Sequence, residues 1–450
     1  MAFSTLVFLC FFLPLGLLLY YLPIWRGGNG RQLLLLTLSL FFYAWGEPLR
    51  VMWLIASIVL NYLLLRLWRR LNPGKAASIL FVLTITLNLA ALGYGKYLAA
   101  SLPLGLSFYT FKLLSAWFDL NRADSEPVPP LSFALYVSFF PQLISGPIGR
   151  YSYFTAQIPE AKASPATLVQ GLARFLPGLF VKILLADAVL AVRMSLLDAP
   201  APGLAEAWLA ALLYSLYIYL DFSSYSDMAI GLAEMFGFHT EENFNLPYSA
   251  VSVADFWRRW HISLSSWFRD YVYIPLGGNR KGLPRQILNI FIVWSLTGIW
   301  HGSSLNFLLW GLYYALWLLL EKLFLAKLTG TWPSSLKRGG TFLIVTFGWV
   351  LFAFPDSSDL LTYLGTLFGN GGWGGSSALY QLSSRFVILI AAVFFSSSGP
   401  RRLAETWRKH RLADRPAALA LLTATYAALL VLTFAYLLDQ SFASFLYFNF

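Results

Sequence analysis

Apolar runs long enough to cross a bilayer follow one another through this chain, and they limit its architecture more than any other feature. They fall at residues 3–24, 31–46, 49–67, 76–93, 98–120, 131–149, 166–192, 205–236, 286–302, 304–325, 340–355, 378–397 and 416–438. A transmembrane helix needs about 20 mostly apolar residues to span roughly 30 Å of hydrocarbon. Of the 450 residues, 58% are hydrophobic and 12% charged, where an ordinary soluble domain carries about 25% charged residues. Such a chain holds about a dozen membrane helices and leaves few residues for a soluble domain. No long linker, heptad seam or low-complexity segment interrupts it, apart from Gly369 to Gly375, which reads as a loop. The expected fold is an all-α polytopic membrane protein, with residues 1–450 forming one integral-membrane domain.

The formal net charge is +11. The basic residues lie in short connections between apolar runs, where the positive-inside bias accounts for them and nucleic-acid binding is not expected. The lone cysteine, Cys10, excludes an intramolecular disulfide and any cysteine metal cluster. Residues 3–24 have no basic leader and no small-residue cleavage site, so they read as a retained helix. Arg26 and Arg31 lie two spans before Arg66, Arg69, Arg70 and Lys75, which places the N-terminus outside. Later basic connections hold Lys322, Lys327, Lys337 and Arg338, then Arg401, Arg402, Arg408, Lys409, Arg411 and Arg415, whereas residues 356–377 contain no Lys or Arg. Strict alternation fails if 98–120 is a full crossing. Pro103 and Gly105 interrupt that run, so a re-entrant element is expected there.

Residues 253–285 depart from the apolar pattern. VADFWRRWHISLSSWFRDYVYIPLGGNRKGLPR interleaves aromatic, basic and acidic side chains and is too charged to span. Trp257 and His261, four residues apart, would share one helical face, in a helix lying at the interface or dipping into the bundle. The next run, 286–302, begins at the basic side and ends SLTGIWHGSSLNF. Its rise of about 1.5 Å per residue carries His301 about 24 Å from Arg285. Thr297 and Trp294 sit four and seven residues earlier, on a face suited to a polar path. An imidazole at membrane depth is a functional candidate, the alternative being a histidine hydrogen-bonded between helices. His239, beside Glu241 and Glu242, and His410, in a basic run, read as solvated. No HExxH or cysteine spacing supports a metal, and nucleotide and nucleophile-elbow motifs are missing. Arg174, Lys182, Asp187, Asp221 and Asp227 place charges among apolar residues and read as a structural ion-pair network.

The segment DFWRRWHISLSSWFRDYVYIPLGGNR, followed by LTGIWHG, resembles the signature of bacterial membrane-bound O-acyltransferases. SGPIGR at 145–150, YLDFSSYSDMAIG at 219–231, NFNLPY at 243–248 and the terminal FLYFNF are also similar to family segments. YIPLGGNR is closer to the alginate O-acetyltransferase branch than to the branch that D-alanylates teichoic acids. The resemblance implies a ring of about 11–12 transmembrane helices around re-entrant or tilted central ones, with a tunnel from each side meeting near a catalytic histidine. On LTGIWHG that histidine is His301, and on FWRRWHIS a second functional histidine is His261. Arg258, Arg259, Arg269, Trp257, Thr297 and Trp300 form the expected substrate- or CoA-binding set.

The activity implied is O-acetylation of an extracytoplasmic polysaccharide, from the bacterial inner membrane. Acetyl-CoA serves as donor substrate with no bound cofactor, and a periplasmic SGNH-type acetyltransferase and the exopolysaccharide acceptor are partners beside the membrane lipids. His301 would act as general base toward a hydroxyl, or as an acetylated nucleophile, and His261 would orient the thioester or relay a proton. Trp294 and Trp300 would close a thin central layer. Acylation of a lipid, a teichoic acid or a protein is the first alternative. A transporter or channel is the second, weakened by the lack of an inverted repeat.

Overall fold

The computed structural model describes residues 1–25, 29–99, 103–122, 128–159, 161, 164–410 and 414–439. Arg26, Arg411 and the FLYFNF segment, used above, lie outside the described residues. The protein is an all-α polytopic membrane protein, with helix and no strand among the described residues. Among the described residues, seven helices are long and apolar enough to cross a membrane: Val51–Arg70, Lys75–Leu98, Pro165–Leu197, Leu204–Met235, Leu305–Leu328, Ser334–Ala353 and Pro416–Leu438. An eighth span is supplied if Ser376–Ser384 and Phe386–Phe395, bent by 76° at Arg385, are counted as one. Several apolar runs take other forms. Residues 131–149 break into Pro130–Ser138 and Phe140–Leu143, because Pro141 removes a backbone donor at the joint. Gly282–His301 is outside the group of seven, since Pro284, Arg285, Gln286 and Asn289 lower its hydropathy.

The chain clusters into two compact units. The first comprises Met1–Pro177 and Tyr225–Glu242. Its core is aromatic, with Phe8 and Phe12 meeting Phe42 at 5.9 and 5.6 Å and Phe140 meeting Phe12 edge-on at 5.4 Å between ring centroids. Val51–Arg70 and Lys75–Leu98 are lipid-facing over most of their apolar length, so hydrophobic burial contributes little to joining them. They are joined instead by polar groups: Asn61 and Asn88 exchange amide bonds of 3.1 and 2.8 Å, and Trp117 donates to Asn61 Oδ1 at 2.9 Å.

The interruption expected near Pro103 falls just before Leu106–Arg122, a helix buried along nearly its whole length. Gly105 makes the turn with φ +70°, where a Cβ would lie 2.6 Å from the Leu143 carbonyl, so no larger residue fits. Arg174 joins Asp227 at 2.7 Å and grips Glu242 through two bonds of 2.9 and 2.6 Å. His239 is exposed and its Nδ1 lies 2.8 Å from Glu234.

The second unit comprises Gly178–Ser224 and, among the described residues, the chain from Asn243 onward. Lys182 Nζ is shared by Asp187 at 2.6 Å and Asp221 at 2.7 Å, all three buried. The expected ion-pair network is therefore two separate clusters, one around Arg174 and one around Lys182. The glycine loop Gly369–Gly375 is fixed by Glu206, whose carboxylate accepts from Gly203 N, Gly375 N and Ala378 N at 3.2, 2.8 and 3.2 Å. Gly282–His301 packs against Leu305–Leu320 through small residues. A Cβ on Gly298 would stand 2.5 Å from the Phe307 carbonyl, and one on Gly311 would collide with the Trp294 carbonyl. That close approach fixes the helix ending in His301.

Candidate active site

The charged segment folds as two short helices, Val253–Arg259 and Ile262–Phe268. The first starts where Ser252 Oγ accepts from Asp255 N at 3.1 Å, an N-cap, and where Glu321 Oε2 accepts from Val253 N and Ala254 N at 2.7 and 3.3 Å. Carboxylates at this end also favour the helix dipole. Between the helices, Trp260 is extended and His261 is left-handed, with φ 45° and ψ 54°. Few non-glycine residues adopt that conformation, and it ends the first helix before His261. Trp257 and His261 therefore do not share a helical face, contrary to the four-residue spacing. The NFNLPY segment brackets the kink: Asn245 N donates to Arg259 O and Ile262 N to Asn243 O, both at 2.9 Å.

Asn243 also reaches the imidazole. Its Oδ1 lies 3.1 Å from His261 Nδ1 and accepts from Ser263 N at 3.3 Å and Ser263 Oγ at 2.9 Å. An amide oxygen bound by a backbone N–H is an acceptor, so the ring nitrogen facing it must be the donor. His261 therefore carries its proton on Nδ1, leaving Nε2 as the basic nitrogen. His261 is buried between the membrane spans, and burial pushes its imidazole down to about 3. Phe222 packs edge-on at 4.7 Å and Trp300 lies at 6.4 Å.

His301, the last residue of its helix, is also buried. Its ring meets Trp300 at 4.5 Å, Trp310 at 5.0 Å and Phe352 at 5.0 Å. Trp300 thus contacts both imidazoles. Trp257 joins the same aromatic system through Trp294 at 4.6 Å, Tyr314 at 4.7 Å and Trp310 at 5.6 Å. Thr297 is buried, and its hydroxyl donates back to Val293 O at 2.8 Å. Of the arginines, Arg259 is held by Asp255 at 3.0 Å and Arg269 by Asp270 at 2.7 Å. Arg258 has a side chain 74% exposed, with Asp255 no nearer than 3.9 Å, so it is the most available of the three to an outside anion. Among the described residues, no three His, Cys, Asp or Glu side chains gather as a metal site.

The structure thus brings His261, His301, Trp300 and Trp257 into one aromatic system and leaves Arg258 and Arg269 at the surface. The family model for the membrane-bound O-acyltransferase family matches residues 36–361. The chain belongs to that family. As a membrane-bound O-acyltransferase it is an enzyme that transfers acyl groups to oxygen, held in the membrane by multiple helices.

The chain is 38% identical to a probable alginate O-acetylase of Pseudomonas putida, over 83% of this chain and 81% of the relative. It is 34% identical to a probable alginate O-acetylase of Azotobacter vinelandii over the whole of both chains. A peptidoglycan O-acetyltransferase of Helicobacter pylori is 32% identical, over 82% of this chain and 80% of the relative. Sequence reasoning marked the NFNLPY segment but not the role of its first residue, Asn243, which lies eighteen residues before His261 and is brought to it by a left-handed turn that no periodicity signals. Trp310 and Phe352 were equally hidden, as two aromatics among many.

Proposed function

We propose that this acyltransferase takes acetyl from cytosolic acetyl-CoA and delivers it across the bacterial inner membrane, for O-acetylation of an exopolysaccharide through a periplasmic SGNH-type partner. The observation that carries the reading is the pair of buried imidazoles on either side of Trp300, one of them with its tautomer set by Asn243. The names of the similar proteins, alginate O-acetylases and a peptidoglycan O-acetyltransferase, support acetyl as the group and a glycan as the acceptor.

In this account the polyanionic CoA stays at the basic mouth, with Arg258 closest to hand, and Arg259 and Arg269 contributing to the field. Trp257, Thr297 and Trp300 line the way for the acetyl thioester. His301 takes the proton of an acceptor hydroxyl, the oxygen attacks the thioester carbonyl, the C–S bond breaks, and the thiolate leaves to be protonated as CoA. His261, with Nε2 basic, orients the thioester or relays that proton. Only the acetyl group crosses, and Trp294 and Trp300 keep the central layer closed to ions.

The test is complementation. His301→Ala and His261→Ala variants, each in a strain lacking the parent gene, should reach the membrane at parental abundance; the first should leave the polymer unacetylated, and the second should impair acetylation less uniformly. Full acetylation with His301→Ala would remove it from the mechanism. Loss of folded protein in both variants would assign the histidines to structure.

A further inference from the structure

Trp310, in the helix Leu305–Leu320, is 1% exposed, and its indole meets the His301 imidazole edge-on at 5.0 Å between ring centroids. Phe352 at 5.3 Å, Tyr314 at 5.4 Å and Trp257 at 5.6 Å pack against the same indole. Its backbone is fixed as well, because the neighbouring Gly311 lies so close to the Trp294 carbonyl that a Cβ there would collide with it. The ring cannot leave His301 without repacking these neighbours.

A buried indole usually finds an acceptor for its N–H. Trp310 Nε1 is sealed from the surface and has no hydrogen-bond partner among the described residues. The aromatic faces around it are only second-order acceptors. Trp349, also 1% exposed, shows the same condition and stacks on Trp310 at 6.3 Å. An indole N–H donates and cannot accept, and it brings no charge into the core. Beside an imidazole, such a group suits an oxygen that gains negative charge while the imidazole moves protons. A fixed donor in a site without bulk water stabilises developing charge more than it would in water.

We propose that Trp310 Nε1 donates to the acyl oxygen of the thioester and holds the oxyanion that forms there, a catalytic role that rests on the reading of His301 as the base. Trp310 is assigned in preference to Trp349 because its ring packs directly on His301. When His301 removes the hydroxyl proton, the acceptor oxygen bonds to the acyl carbon and the carbonyl π pair moves onto its own oxygen, against the indole N–H. The pair then returns, the C–S bond breaks, and the thiolate takes the proton from the imidazolium and leaves as the thiol.

The test replaces Trp310 by benzothienylalanine, introduced by amber suppression, in which a ring sulfur stands where the N–H was and the shape is kept. The purified full chain in proteoliposomes, assayed by CoA thiol release with acceptor present and compared at equal folded amount, should lose about 100–1,000-fold in kcat, as for removal of one oxyanion donor, with KM for acetyl-CoA near the parental value. The same replacement at Trp349, an equally buried indole, should leave kcat parental. A dithioester analogue of acetyl-CoA, with sulfur in place of the acyl oxygen, gives a second readout. The Trp310 replacement should slow that donor far less than it slows acetyl-CoA, because sulfur is the weaker acceptor. Parental kcat in the Trp310 replacement, equal losses at Trp310 and Trp349, or equal losses with the two donors would overturn the proposal. His301→Ala separates it from the reading beneath it: activity kept by His301→Ala but lost in the Trp310 replacement would remove the base and keep the indole, and the reverse would remove the indole and keep the base.

Discussion

Asn243→Ala is the substitution whose outcome follows most closely from geometry. Its amide oxygen serves three donors, His261 Nδ1, Ser263 N and Ser263 Oγ, at 3.1, 3.3 and 2.9 Å. Deleting it leaves buried donors to be satisfied elsewhere, which costs about 1–3 kcal/mol of stability for such a group. The greater effect falls on catalysis, because the imidazole loses the acceptor that fixes its tautomer and ring orientation. Partners that orient the histidines of metal sites are worth about 10–100-fold, and losing the same kind of ring orientation sets the scale here. We expect kcat for acetyl transfer by purified protein in proteoliposomes to fall by that factor, with folded protein still recoverable.

Asn243→Asp separates orientation from charge. The carboxylate keeps an acceptor in place, and it also stabilises the imidazolium and raises the pKa of His261. In the parent, burial holds that value down to about 3, so His261 remains neutral at assay pH. In Asn243→Asp the neutral form is lost as pH falls through the raised value, so activity should acquire an acid limb that the parent lacks. A folded Asn243→Ala protein with parental kcat would refute the tautomer argument, as would an Asn243→Asp profile identical to the parent's.

Three further outcomes are expected. Arg258→Ala should raise KM for acetyl-CoA more than Arg259→Ala or Arg269→Ala, and more at low salt, because it is the arginine least engaged by a carboxylate; unchanged kinetics at low ionic strength would reduce the cluster to a topology signal. Lys182→Met should cost about 3–5 kcal/mol, seen as loss of detergent-stable protein, because Asp187 and Asp221 would remain buried without their shared ammonium; parental thermal stability would contradict it. With Cys10→Ala as background, Arg269→Cys should be labelled by an impermeant thiol reagent from the cytoplasmic side and Leu305→Cys, beside Asn306, from the other; labelling of both from one side would exclude the two-sided arrangement.

The membrane class and the family were legible because both rest on features that act at short range: runs of about 20 apolar residues and a dense charged-aromatic motif. The two histidines stood out as candidates for the same reason. Helix form within the runs was less legible. A run such as 131–149 reads as one span by hydropathy, and Pro141 divides it, because one missing N–H outweighs the apolar average. The four-residue spacing of Trp257 and His261 misled for a related cause: His261 itself adopts the left-handed turn that ends the helix. The structure still joins Trp257 to the histidines, through Trp294 and Trp310 and across the tertiary fold. The NFNLPY segment was legible, but the pairing of its Asn243 with the His261 ring was not, nor that of Glu206 with Gly375 and Ala378, because partners distant in sequence carry no local pattern.

The central claim is that the His301–Trp300–His261 system moves acetyl from acetyl-CoA toward an acceptor on the opposite face. It is tested most directly by presenting labelled acetyl-CoA to the basic face of oriented proteoliposomes holding acceptor inside, and following CoA thiol release and labelled acetyl together. The parent should release thiol in step with acetyl on the acceptor, and His301→Ala, recovered at equal folded amount, should do neither. Parental turnover by that variant, or thiol release only when donor and acceptor share one face, would contradict the account.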